Sequence, residues 1–182
     1  MFDAHIQLPE PSLVVLMGAS GSGKSTFART HFHATEVVSS DACRALVADD
    51  ENDQSATPAA FDVLHCIVGH RLAGGRLTVV DATNVRPRDR STFVELARKH
   101  HVPLVALVLD LPTTVCLQRN QTRTDRTLPV HVVRAQSEEL RRGLAGLGDE
   151  GFGLVTLFDS AEQVAAATIT RRRPVPSTPA TD

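Results

Sequence analysis

The sequence contains no tryptophan and no tyrosine, and only seven phenylalanines. With so few rings, and those read as core, it lacks a broad platform for stacking exposed bases. Lysine is scarce too: Lys24 and Lys99 are the only two, and every other basic side chain is arginine. Composition alone favours codon bias in a G+C-rich genome as the cause. The functional alternative is bidentate phosphate grip by the planar guanidinium. Net charge is −2 at pH 7, so the surface as a whole does not announce nucleic acid or membrane. Cys43, Cys66 and Cys116 form no C-x-x-C pair, and an odd count is a poor disulfide framework. No apolar run reaches membrane-spanning length. The stretch "MFDAHIQLPEP" lacks the basic and apolar regions of a signal peptide. A reducing, cytoplasmic setting is the simplest expectation.

At 182 residues the chain is long enough for one compact domain with a real core. Short apolar runs alternate with amphipathic stretches. "LVVLM" (Leu13–Met17), "LTVVD" (Leu77–Asp81) and "LVALVLD" (Leu104–Asp110) are almost continuously apolar, as strands buried on both faces of a parallel sheet are. "EVVSS" and "GLVTLF" are weaker candidates for two more. Between them lie three helical patterns. "TPAAFDVLHCIVGHRLAGG" has Thr57 as cap and Pro58 in its first turn, "RPRDRSTFVELARKHH" sets Phe93, Leu96 and Ala97 on one face, and "LPVHVVRAQSEELRRGLAGLG" ends in glycines. The alternation predicts a three-layer α/β domain over residues 1–170, with a parallel five-stranded sheet. The remainder, residues 171–182, is rich in Pro, Thr and Ser and reads as an interdomain linker to a continuing protein.

The stretch "GASGSGKST" carries the strongest chemical signal. Gly18, Gly23, Lys24 and Ser25 match G-x-x-x-x-G-K-[ST], after an apolar strand and before a helix. Glycines let such a loop curl until its amides converge on phosphate oxygens. Gly21, Ser22, Gly23, Lys24, Ser25 and Thr26 are therefore the candidate cradle for ATP or another nucleoside triphosphate. Lys24 supplies a mobile charge for the β- and γ-phosphates, and the Ser25 hydroxyl is the candidate Mg²⁺ ligand. The following helix points its positive end at the anion. Asp81, at the end of "VVDATN", reads equally as a metal-serving carboxylate or as part of a turn with Thr83 and Asn84.

In "SSDACR", Asp41 is the candidate general base toward an attacking hydroxyl, and Arg44 lies one helical turn further on. The alternative is that Ser40 or Asp41 caps a helix and Arg44 pairs with Asp41. "DDENDQ" lacks the glycine and the spaced Glu of a calcium loop and reads as solvated. "CLQRNQTRTDR" sets Arg119 and Arg123 four apart on one helix face, and Arg126 extends the row. Such a row is expected to close over a triphosphate and stabilise transition-state charge; the alternative is a solvated basic face.

Together "GASGSGKSTFA", "SSDACR", "DDENDQ", "FDVLH", "TVVDATN" and "CLQRNQTRTDR" resemble the kinase domain of bacterial polynucleotide kinase-phosphatase, an RNA repair enzyme of the P-loop phosphotransferase superfamily. The resemblance runs from about Leu13 to about Ala165. It implies transfer of the ATP γ-phosphate to the 5′-hydroxyl of RNA or DNA. Asp41 is then the base, Arg44 the acceptor contact, Lys24 and Ser25 the phosphate and metal residues, and Arg119, Arg123 and Arg126 the lid. It implies, too, phosphatase and adenylyltransferase domains in the longer protein and an RNA 3′-terminal methyltransferase partner. A small-molecule kinase of gluconate or shikimate type shares the loop, the Asp and the arginine lid, and is the rival reading. A non-catalytic nucleotide switch is the third.

Overall fold

The computed structural model describes residues 5–122 and 127–172. Five strands form the main sheet: β2 (Leu13–Met17), β3 (Val37–Ser39), β4 (Thr78–Asp81), β5 (Leu104–Leu109) and β6 (Leu154–Phe158). Their order is β3-β4-β2-β5-β6, and every neighbouring pair is parallel. The three strongest apolar runs are the three central strands. Each is buried along its whole length, because helices cover both faces.

On one face lie α1 (Lys24–His31) and α8 (Ala161–Ala166). On the other lie α3 (Thr57–Ala73), α4 (Pro87–Lys99), α6 (Val130–Gly143) and α7 (Leu147–Glu150). The strand side chains alternate between these layers. Val14, Leu16, Val105 and Leu107 pack with Phe27 and Ala28 of α1; Val15, Met17, Ala106 and Val108 pack with Leu64 and Val68 of α3 and Phe93 of α4. Two further helices, α2 (Ser40–Ala48) and α5 (Thr113–Gln121), begin just past the carboxyl ends of β3 and β5. Among the described residues no helix is long and apolar enough to cross a membrane.

Some local expectations are corrected. The N-cap of α3 is Ala56, not Thr57, because a 3₁₀ turn over Gln54–Ala56 feeds directly into the helix. The single glycine-terminated helix expected after Leu128 is three pieces: α6, a 3₁₀ turn at Leu144–Gly146, and α7. The stretch assigned to a linker from residue 171 begins too early. Arg171 and Arg172 belong to β7 (Thr168–Arg172), which pairs in parallel with β1 (His5–Pro9) as a separate two-stranded ribbon. Ile6 and Leu8 of β1 face the α1 layer and are buried there.

An ion pair fastens this ribbon to the domain. Arg171 donates to both carboxylate oxygens of Glu36, each at 2.7 Å, and Glu36 also accepts the His33 backbone N–H at 2.9 Å. Burial pushes the Glu36 carboxyl up, but these donors outweigh it and hold the group below its usual range. The stabilisation is therefore present at neutral pH and is lost as pH falls through the lowered value. Arg171→Ala is expected to reduce Tm at pH 7 by roughly 2–4 °C per kcal/mol lost. The gap from the parent should close as the solution is acidified below the usual carboxylate range. Thermal scans across that range check this, and an undiminished gap in acid would assign Arg171 to packing alone.

Candidate active site

Strand order sets where a ligand binds. From β2 the chain crosses to β3 on one side, and β5 joins β2 on the other, so a crevice opens at the carboxyl ends of the central strands. The glycine-rich loop emerges there, between β2 and α1. Gly21 (φ +84°) and Gly23 (φ +99°) have the left-handed backbone that side chains resist, and a Cβ on Gly21 would run into the Cys116 carbonyl of α5. Gly23 is the N-cap of α1, which starts at Lys24.

Three elements hold the loop. Gly18 N–H donates to the Thr83 carbonyl at 3.0 Å, and Asn84 Nδ2 donates to the Leu16 carbonyl at 2.8 Å. The "VVDATN" turn is thus laced to both sides of the strand's end. Asn84 has φ +49°, a conformation asparagine tolerates well, and its own carbonyl accepts from Arg90 Nη1 at 2.9 Å. Arg90 is fully buried and also engages both oxygens of Glu150 on α7. On the far side, Ser20 N–H donates to Gln136 Oε1 of α6 at 2.8 Å. Lys24 is buried, with Nζ donating to the carbonyls of Gly18 (2.8 Å) and Ala19 (2.9 Å).

The crevice has a volume of about 780 Å³. Gly21, Gly23, Lys24, Ser25 and Thr26 line its middle. Toward the β6 edge its wall includes Arg119 of α5, Leu128, Gln136 of α6 and Val164 of α8. Toward the β3 edge it includes Asp41 and Arg44 of α2, Gln54, Thr57 and Phe61 of α3. The structure therefore brings Lys24, Ser25, Asp41, Arg44 and Arg119 to one cleft. Ser22 sits fully buried inside the loop. Arg123 and Arg126 lie outside the described residues, and α5 ends at Gln121, before either.

Two open alternatives change. The α2 cap is Ser39, whose Oγ accepts the Ala42 N–H at 3.4 Å, so neither Ser40 nor Asp41 is the cap. The other half of that alternative holds: Arg44 Nη1 donates to Asp41 Oδ1 at 2.6 Å and also to the Glu51 carbonyl at 2.8 Å. Arg44 is nearly fully buried while Asp41 is 41% exposed at its side chain, so the arginine orients a carboxylate that still faces the cleft. Asp81, at the end of β4, is 7% exposed and also lines the cleft. Among the described residues its carboxylate meets no cation and no hydrogen-bond donor. A carboxylate lining the same cleft as the Ser25 hydroxyl suits a hard divalent cation with oxygen ligands. Gln136 was not foreseen, since a glutamine within a helix looks like any surface residue.

The sheet, the loop and the lysine define a P-loop nucleoside triphosphate-binding domain. More narrowly, the chain belongs to the AAA_33 family, an AAA domain, whose profile matches residues 13–147. It is 32% identical over 114 residues to transcription factor bHLH140 of Arabidopsis thaliana, a match covering 62% of this chain and 12% of that protein. Among solved structures it resembles a chain of the Pnkp1/Rnl/Hen1 RNA repair complex, at 25% identity and TM-score 0.63, over 74% of this chain and 45% of that one. It also shares its fold with a gluconokinase from Sinorhizobium meliloti 1021, at 22% identity and TM-score 0.53, over 87% of each chain.

Lys24→Ala is expected to lower phosphoryl transfer by roughly 10²–10³-fold, because developing γ-phosphate charge then lacks its nearest cation. Turnover with γ-labelled ATP, alongside Tm, measures this. Near-parental turnover would mean that the loop is not the donor site.

Proposed function

We propose that the protein is a polynucleotide 5′-hydroxyl kinase that moves the ATP γ-phosphate to the 5′-OH end of RNA or DNA during nucleic-acid end repair. The observation that carries this reading is the Asp41 carboxylate, 41% exposed at its side chain and on the same cleft as Lys24 and Ser25 although Arg44 pairs with it. The similarity to a chain of the RNA repair complex supports it. By the same reading the domain works beside phosphatase, adenylyltransferase and RNA 3′-terminal methyltransferase activities.

The chemistry follows from the placement. ATP lies with its phosphates on the loop amides and on Lys24, where the start of α1 adds positive potential. Mg²⁺, held by Ser25 and served by Asp81, would neutralise phosphate charge. The terminal hydroxyl of the acceptor faces Asp41, which accepts its proton as the new O–P bond forms. The bond between the γ-phosphorus and the bridging oxygen breaks, and ADP leaves. Arg44 orients Asp41 and offers charge to the next acceptor phosphate. Arg119, with Arg123 and Arg126, stabilises charge on the transferring group.

Asp41→Asn tests the base. Asparagine keeps the size but cannot take the proton, so turnover per folded molecule on a 5′-OH oligonucleotide should fall by roughly two or more orders of magnitude while ATP affinity holds; Tm should fall too, because the buried Arg44 loses its charged partner. An Asn variant retaining most of its turnover removes Asp41 from the mechanism. Arg44→Ala should raise oligonucleotide KM and lower turnover together, because it removes both the charge toward the acceptor and the partner that orients Asp41. Phosphorylation of a sugar acid in preference to any 5′-OH end would overturn the polynucleotide reading. For the metal, Asp81→Asn should raise the Mg²⁺ needed for half-maximal rate by roughly tenfold or more. An unchanged Mg²⁺ titration would assign Asp81 to the turn.

A further inference from the structure

The polynucleotide reading gives no role to Phe61, which lines the cleft. Phe61 lies on α3, in the stretch "FDVLH", and is only partly buried. It lines the cleft together with Gln54 and Thr57, on the side that carries Asp41 and Arg44. Helix α2 packs closely on α3, so this part of α3 is held beside the acceptor residues.

Behind Phe61 stands a column of rings. Its centroid is 5.7 Å from that of His65, and His65 stands 5.0 Å from Phe93 in an edge-to-face arrangement. Phe93 is fully buried in the core. The Nε2 atom of His65 is buried without a hydrogen-bond partner. Burial also lowers the tendency of that imidazole to take a proton, so the ring stays neutral at pH 7 and behaves as an apolar prop. The column thus backs Phe61 from the core outward, so the ring is a braced wall of the cleft.

A sugar acid or a small polyol offers such a ring no flat apolar face, and would leave its own hydroxyls facing carbon. A nucleobase offers a π-face and needs no particular sequence to stack. The triphosphate side does not compete for this ring. Strand order separates Phe61, near the β3 edge, from the Leu128 and Val164 wall toward the β6 edge.

We infer that Phe61 is a specificity residue for the acceptor: the base of the 5′-terminal nucleotide stacks on its ring, which sets the terminal hydroxyl against Asp41. This rests on the polynucleotide reading but asks a narrower question, namely that the acceptor be a nucleoside. The source of that nucleoside is a polynucleotide end or a free nucleoside 3′-phosphate.

The experiment compares the parent with Phe61→Leu and Phe61→Tyr. Acceptors are a 5′-OH oligonucleotide, the same oligonucleotide with an abasic 5′-terminal residue, a nucleoside 3′-monophosphate and gluconate, all at saturating ATP. Phe61→Leu should raise the KM of the ordinary oligonucleotide roughly tenfold, the loss of about one base–aromatic stack. Phe61→Tyr, which keeps the ring, should restore it. The abasic acceptor should already show the raised KM in the parent, and Phe61→Leu should add nothing to it. The KM for ATP reports folding and the donor site separately. Transfer to the nucleoside monophosphate but not to oligonucleotides, with the same loss in Phe61→Leu, would sustain the stack while ending the polynucleotide reading. An unchanged oligonucleotide KM in Phe61→Leu, an equal loss on the abasic acceptor, a loss confined to ATP, or transfer to gluconate alone would each overturn the inference.

Discussion

A triphosphate is held here chiefly by backbone, and backbone can be aimed only if the chain around it is immobile. The central strand must stop pairing at Met17, curl through Gly18–Gly23 and enter α1 at Lys24. A curl of this kind is floppy in isolation, because glycine loses the most conformational freedom on folding. The structure spends contacts from three directions on it: the turn after β4 through Thr83 and Asn84, α6 through Gln136, and α5 through the Cys116 carbonyl against Gly21. The arrangement of the other helices follows from that need.

The support extends inward to a buried charge pair. Arg90 grips Glu150 on α7 and the Asn84 carbonyl together, so α4, the turn just before it and a helix sixty residues on share one guanidinium. A charged pair this deep gains little over well-packed apolar groups, yet losing one partner leaves a costly orphan. Its value lies in geometry: three hydrogen bonds from one rigid, planar fork tie together α4, α7 and the turn that braces the loop.

Much of this was legible in the sequence. The continuously apolar runs became the central strands because burial on both faces removes any alternation, and the loop was readable because few other sequences satisfy its backbone. The carboxylate and arginine of "SSDACR" were placed together by helical spacing alone. What escaped was non-local. Strands β1 and β7 are short and half polar, and each is a strand only because the other end of the chain lies beside it. Gln136 carries no local mark of its partner 116 residues away. Phe61 passed for core because α3 is apolar almost all round, and only the packing of α2 on α3 shows which ring reaches the cleft.

The ribbon has a bearing on how the molecule comes into being. Its side-chain contact between His5 and Thr168 joins residues 163 apart. Closing so large a loop is rewarded only after the intervening chain has condensed. During synthesis from the ribosome, β1 emerges before the whole P-loop domain and its partner after it. Ile6 and Leu8 therefore wait uncovered while the central sheet assembles, and the ribbon zips last, a seal on a domain already formed.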